Sequence, residues 1–177
     1  MSTKESLSLQ PVGGASPEIG RWLAAYDDAR RRTLKLLESV DSQAINWTPE
    51  GQSSIGSILY HVAAIEASWL YDEVLGNQWP ENFDERFPYP VRADGQHITP
   101  VPDESLEAHL SRLDAVHADL IAAYRAMTLD EFRRARETPD YTVTPEWVLH
   151  HLMQHEAEHR AEIGSVWQQA KRVGTGV

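Results

Sequence analysis

The chain contains no cysteine. That excludes disulfides, thiolate metal ligands and a catalytic thiol of its own. Any metal must be held by nitrogen and oxygen, and any sulfur chemistry must use a thiol from outside the chain. Positive charge is also scarce: 16 Lys and Arg stand against 27 Asp and Glu, a net charge of −11 over 177 residues. Phosphate binding needs a concentrated basic surface, so nucleic acid is not expected as a partner. The run Arg30-Arg31-Arg32 and the pair Arg133-Arg134 are short and read as solvated helix faces and termini. No run of ~18 apolar residues occurs, so neither a membrane span nor a signal peptide is expected. The expected location is the cytoplasm.

What is present suits one domain with a sizeable core, at 41% hydrophobic and 24% charged residues. Residues 1–15 carry Pro11, Gly13 and Gly14 without periodicity and read as a flexible N-terminal arm, leaving 16–173 as the domain. Ser16-Pro17-Glu18 reads as a cap, a first-turn proline and an acidic first turn. Ile19, Trp22, Leu23, Tyr26, Thr33, Leu34 and Leu37 follow at helical spacing, to about Val40. Ser53 or Ser54 can cap a second helix, whose stripe is Ile55, Ile58, Leu59, Val62, Ile65 and Trp69 and which Gly76 stops. A third helix is expected after Asp103 as its cap, and a fourth from Thr144-Pro145-Glu146 to about Arg172, with the end from Gly174 fraying. No clear strand run is present. The spacing therefore predicts an all-α, four-helix bundle.

Between helices two and three lies a long proline- and aromatic-rich crossover. Residues 77–102 contain Pro80, Pro88, Pro90, Pro100 and Pro102 with Trp79, Phe83, Phe87 and Tyr89. A connection of that length is uncommon and is often functional. Its aromatic content predicts packing on the body, as a lid over one end of the bundle.

Eight histidines are many for this length. In helix four, Val148, Leu152, Ile163 and Val166 share one face, and His155 and His159 fall in the middle of it, one turn apart. Imidazole in an apolar stripe is costly unless something binds it. A pair at this spacing can offer two nitrogens to one ion. The alternatives are hydrogen-bonded core histidines, or a stripe rotated outward. His61 lies on the flank of the helix-two stripe, close to where two helices meet. Three neutral imidazoles from two helices would make a facial site for Zn²⁺, Ni²⁺ or a similar ion, with positions left for water or substrate. His117 or His97 is a candidate fourth ligand, while His109, His150 and His151 suit packing or solvated roles. Glu158 could orient a ligating imidazole or act as a base, with surface charge as the alternative. Glu66, on the helix-two stripe, faces the same choice and needs a partner such as Arg112, Arg125 or Arg160.

Ser54-Ile55-Gly56-Ser57-Ile58-Leu59-Tyr60-His61-Val62 resembles the helix-two motif of the DinB-like superfamily of damage-inducible four-helix bundles. His151-Leu152-Met153-Gln154-His155-Glu156-Ala157-Glu158-His159-Arg160 resembles its helix-four motif. The resemblance implies a metal triad at His61, His155 and His159, an up-up-down-down bundle and a homodimer. It also implies kinship with metal-dependent S-transferases and isomerases that use a low-molecular-weight thiol such as mycothiol or bacillithiol. Relatives often carry His-His-Arg-Gly in helix four, where this chain has Glu158-His159-Arg160-Ala161. The ligand position is kept; its neighbour is a carboxylate and the glycine is gone.

Two classes of function follow. One is a divalent-metal enzyme, with Glu158 or Glu66 moving protons, that applies an external thiol to a small electrophile or activates water as a hydrolase. The other is a stress-response or binding bundle with a structural metal.

Overall fold

Four segments with an apolar stripe and capped ends become four long helices. The structure is a computed structural model and describes residues 8–95 and 97–174. The arm expected over 1–15 falls outside the described residues as far as Leu7, as does the tail from Thr175. Within the described part of that arm, the Val12 amide donates to the Gly20 carbonyl at 2.9 Å.

Helix α1, Pro17–Leu37, starts at Ser16, whose side chain accepts from the Ile19 amide. Its buried face is Ile19, Leu23, Tyr26, Arg30, Thr33 and Leu37. Helix α2, Ile55–Ser68, is capped by Ser54 and buried nearly all round. It continues as a π-helical turn over Trp69–Val74, marked by the Leu75 amide reaching back to the Leu70 carbonyl. Gly76 then ends it at φ +66°, a left-handed conformation that glycine adopts without a Cβ clash. The short α3, Phe83–Arg86, lies in the crossover. Helix α4, Leu106–Arg125, is capped by Ser105 rather than Asp103. Asp103 instead takes a positive φ of 56° in the turn just before. Helix α5, Leu129–Phe132, is a single turn closed by a reciprocal capping box between Thr128 and Glu131. Strands β1, Arg136–Glu137, and β2, Thr142–Val143, pair antiparallel. This small hairpin is absent from the sequence expectation, because two-residue strands carry no readable alternation. Helix α6, Pro145–Val173, is capped by Thr144 and closed by Gly174 at φ +77°.

Helix α1 packs on α4 and α6, and α2 packs on the same two. The shared core includes Leu23, Leu59, Leu113, Leu120, Leu152 and Ile163. Burying each such side chain contributes about 1.5–3 kcal/mol before conformational entropy is charged against it.

The crossover is fastened to α2. The Tyr60 hydroxyl donates to the Tyr89 carbonyl at 2.5 Å and accepts from the Tyr89 amide at 2.9 Å. The Val101 amide donates to Ser57 Oγ at 3.0 Å, and Phe87 and Val101 are buried. Among the described residues, no helix is long and apolar enough to cross a membrane.

One reading of charge is corrected. Arg30 is not solvated with its neighbours; it is 3% exposed, at the centre of the bundle. Its Nη2 donates to Glu66 on α2 at 2.6 Å and its Nε to both carboxylate oxygens of Glu156 on α6 at 3.2 Å. Glu66 thus finds its partner in Arg30. Arg112 is bound to Glu104, and Arg160 to the Ala29 carbonyl. Residue 30 lies on the same face as Tyr26 and Thr33, so helical phase buries it, and a buried guanidinium is tolerable only when paired.

Candidate metal centre

His155 and His159 are one turn apart on α6, so their side chains leave the helix on one face. His61 stands on α2, which packs on α6. The three rings meet. His159 Nε2 lies 3.0 Å from His155 Nε2, which lies 3.3 Å from His61 Nε2. One ligand atom from each ring falls within 4.8 Å of the other two. Two nitrogens bound to one tetrahedral ion at ~2.0–2.1 Å stand ~3.3–3.4 Å apart, so the spacing fits a shared first-row ion. An all-imidazole donor set of this kind suits Zn²⁺ or Ni²⁺ and makes a poor cage for Mg²⁺ or Ca²⁺.

The environment keeps two of the rings neutral, the state that ligates. Burial pulls His61 down to about 4, helped by His159 and by Arg92 from the crossover; the nearby Val91 backbone pulls weakly the other way. His155 is held at about 2 by burial and then by His159 and His61. His61 Nδ1 is buried without a full hydrogen bond. His159 Nδ1 pairs with Glu162 Oε2 at 2.8 Å. That carboxylate favours the tautomer with the proton on Nδ1, leaving the Nε2 lone pair aimed at the other rings.

The remaining histidines are engaged elsewhere. His97 pairs with Asp94 at 2.6 Å on the exposed crossover, and His117 Nε2 with Asp27 at 2.8 Å, its ring stacked on Tyr26. His109 is fully buried beside Arg112, and His150 is exposed. His151 stacks on Trp147, with ring centroids 5.1 Å apart and a 7° interplanar angle, and its ring centroid is 6.0 Å from that of His155. Among the described residues, the three-histidine group is the one cluster that could hold an ion. Glu66 is buried against Arg30, and Glu158 is exposed on α6. The carboxylate that touches a triad ring is Glu162, three residues beyond His159, a spacing that a search for second ligands around His159 could have flagged. Arg92, whose charge is felt at His61 and His155, lies in a proline-rich loop whose path the sequence does not specify.

A helical bundle that aims three imidazoles from two helices at one point, with no cysteine in the chain, belongs to the class of bundles with a candidate three-histidine metal site. The chain matches the DinB superfamily over residues 25–163, a stretch that encloses all three histidines, and it belongs to that superfamily. No curated protein matches it.

Proposed function

We propose that this chain is a divalent-metal enzyme that applies a low-molecular-weight thiol, of the mycothiol or bacillithiol kind, to a small electrophile. The observation that carries the reading is the convergence of His61, His155 and His159, joined by no fourth histidine, aspartate or glutamate among the described residues. His97 and His117 are paired elsewhere, so an ion held by the three rings would keep positions open for substrate, as a catalytic site does and a closed structural site does not. A divalent ion in the triad supplies a Lewis acid that favours the deprotonated form of a thiol or water. The chain's own part is to present three neutral rings, fix the His159 tautomer through Glu162 and keep the floor of the site dry through buried His61. With no cysteine, the soft nucleophile must come from outside.

Of the two carboxylates considered for proton transfer, Glu66 is held by Arg30, whereas Glu158 is exposed and its charge is felt at His151. Glu158 is therefore the better choice. The proposal includes an up-up-down-down winding, which the packing of α1 on α4 and α6 supports, and a homodimer acting on a small molecule without nucleic acid or membrane. The same triad could activate water, and hydrolysis is the second reading.

The test is metal analysis of the protein as isolated, then a thiol panel against one reactive electrophile. Zinc or nickel near one per chain is expected, absent in His155→Ala, with faster electrophile loss for one thiol than for the rest. Unchanged metal content in His155→Ala would remove the triad from the account. Rates equal to the uncatalysed reaction with every thiol would move the protein to the hydrolytic or non-catalytic class.

A further inference from the structure

A second site lies beside the triad. The start of α6, strand β2 and the π-helical turn after α2 border an open pocket of about 570 Å³ lined by Trp69, Tyr141, Thr142, Val143, Thr144 and Trp147. That volume is in the range of small-molecule sites. Trp69 opens the π-helical turn, a backbone irregularity that recurs at functional sites. Its ring centroid is 5.5 Å from that of Trp147, with the planes tilted by 52°, and 6.0 Å from that of Tyr141. Trp147 and Tyr141 are nonetheless 47% and 45% exposed, so two large rings leave much of their apolar surface in water.

The three hydroxyl groups of the pocket are already in use. The Tyr141 hydroxyl donates to Glu73 at 2.6 Å, and the Thr142 hydroxyl to Glu137 at 2.8 Å. The Thr144 hydroxyl caps α6 by accepting from the Trp147 amide. No charged side chain lines the walls. An anion would find no cationic partner there, and a ligand rich in hydrogen-bonding groups would have only the two indole N–H groups to replace its water. Two indoles set at a tilt form a wedge that suits a flat ring by offset or edge contact. They do not form a closed cage of faces around a point charge. The pocket's indoles pack toward the metal centre: His151 touches both, with centroids 4.9 Å from Trp69 and 5.1 Å from Trp147, and its ring is 6.0 Å from that of His155.

We propose that this pocket binds an uncharged, flat aromatic ring, stacked against Trp147 and Trp69, whose indoles pack against His151 next to the metal centre. Taking that ring as part of the electrophile rests on the function proposed above; the binding itself does not.

The experiment uses the full chain freed of metal by a chelator, and two probes of one shape. One is tert-butylbenzene, which is neutral; the other is phenyltrimethylammonium, its cationic counterpart. Binding is followed by the indole N–H resonances. Saturable binding of the neutral probe, weaker for the cation, is expected. Trp147→Ala should weaken it about tenfold with helix content unchanged, since stacking on one ring is of that size. Tyr141→Ala is the second variant if Trp147→Ala does not fold, and His61→Ala should leave probe binding intact. Tighter binding of the cation, absence of saturable binding, or indifference to both pocket substitutions would overturn the proposal. So would a dimer that Trp147→Ala dissociates, since the rings would then be an interface. If the probe fails to bind while wild-type protein still carries metal, only the pocket is lost. If His155→Ala keeps its metal, the triad reading is lost and the probe result stands.

Discussion

Burial alone would keep His117 neutral, yet Asp27 and Glu66 outweigh it and hold the ring up to about 9. Nε2 meets Asp27 at 2.8 Å, and Nδ1 is 3.6 Å from Glu66. Glu66 responds in kind: burial pushes its carboxyl up, but Arg30 and His117 bring it below its usual value. At the same scale, His61 and His155 go the opposite way: burial pulls them down, and their neighbours, other imidazoles and an arginine, add to that pull rather than oppose it. The same fold therefore holds His117 charged and His61 and His155 neutral, according to whether the neighbours oppose or reinforce burial. A histidine raised in the folded state gives its full stabilisation below its unfolded value and loses it as pH rises through the folded value. The stability difference between wild type and His117→Gln, both metal-free, should thus be near its full size at pH ~6, fall as pH rises from 6.5 to about 9, and be gone above pH ~9–10. Urea unfolding at several pH values measures it, and a difference that does not vary with pH would show the ring to be uncharged.

Arg30 ties elements together. It stands on α1 and bonds Glu66 of α2 and Glu156 of α6, and its Nη1 reaches the Leu113 carbonyl of α4 at 3.4 Å. One guanidinium thus contacts all four long helices. Removing it strands two buried carboxylates, so Arg30→Met should lose about 3–5 kcal/mol in chemical unfolding. Adding Glu66→Leu and Glu156→Leu should recover most of the loss, since a fully apolar replacement is often neutral or better. A change below about 1 kcal/mol for Arg30→Met would mean that water, not the carboxylates, satisfies the group. This network is not legible in the sequence. Helix starts at Ser16, Ser54 and Thr144 were legible because caps are local chemistry, and the stripes were legible because period is local. The pairing of residues 30, 66 and 156 is not local. Only the phase of Arg30 on the α1 face hinted at it, and its place in a basic run argued the other way. The triad was more legible, because two of its members are one turn apart on one helix. Trp147 and Tyr141 are not legible in the sequence, because their roles depend on meeting Trp69 of the π-helical turn, far away in the chain; Glu162 is legible only through its spacing from His159.

At the scale of the whole molecule, the triad joins two helices whose ligands are 94 residues apart in sequence. An ion that binds only the folded chain stabilises it by mass action, ~2.7 kcal/mol at a hundredfold excess over the dissociation constant. For a domain of this size that is a rise in Tm of several degrees. Zinc or nickel titrated into metal-free protein should therefore raise Tm steadily with the logarithm of metal concentration. The metal-free state should also be strained at this point: His61 is 1% exposed, its Nδ1 lacks a full hydrogen bond, and its Nε2 faces two other imidazoles. His61→Leu should thus abolish the metal-dependent rise while leaving metal-free Tm unchanged or higher, because an apolar side chain suits the site better than an unligated ring. A rise that persists in His61→Leu would place the stabilising ion on surface histidines such as His97 or His150. A large fall in metal-free Tm would show that the ring holds α2 in place by packing, with or without an ion.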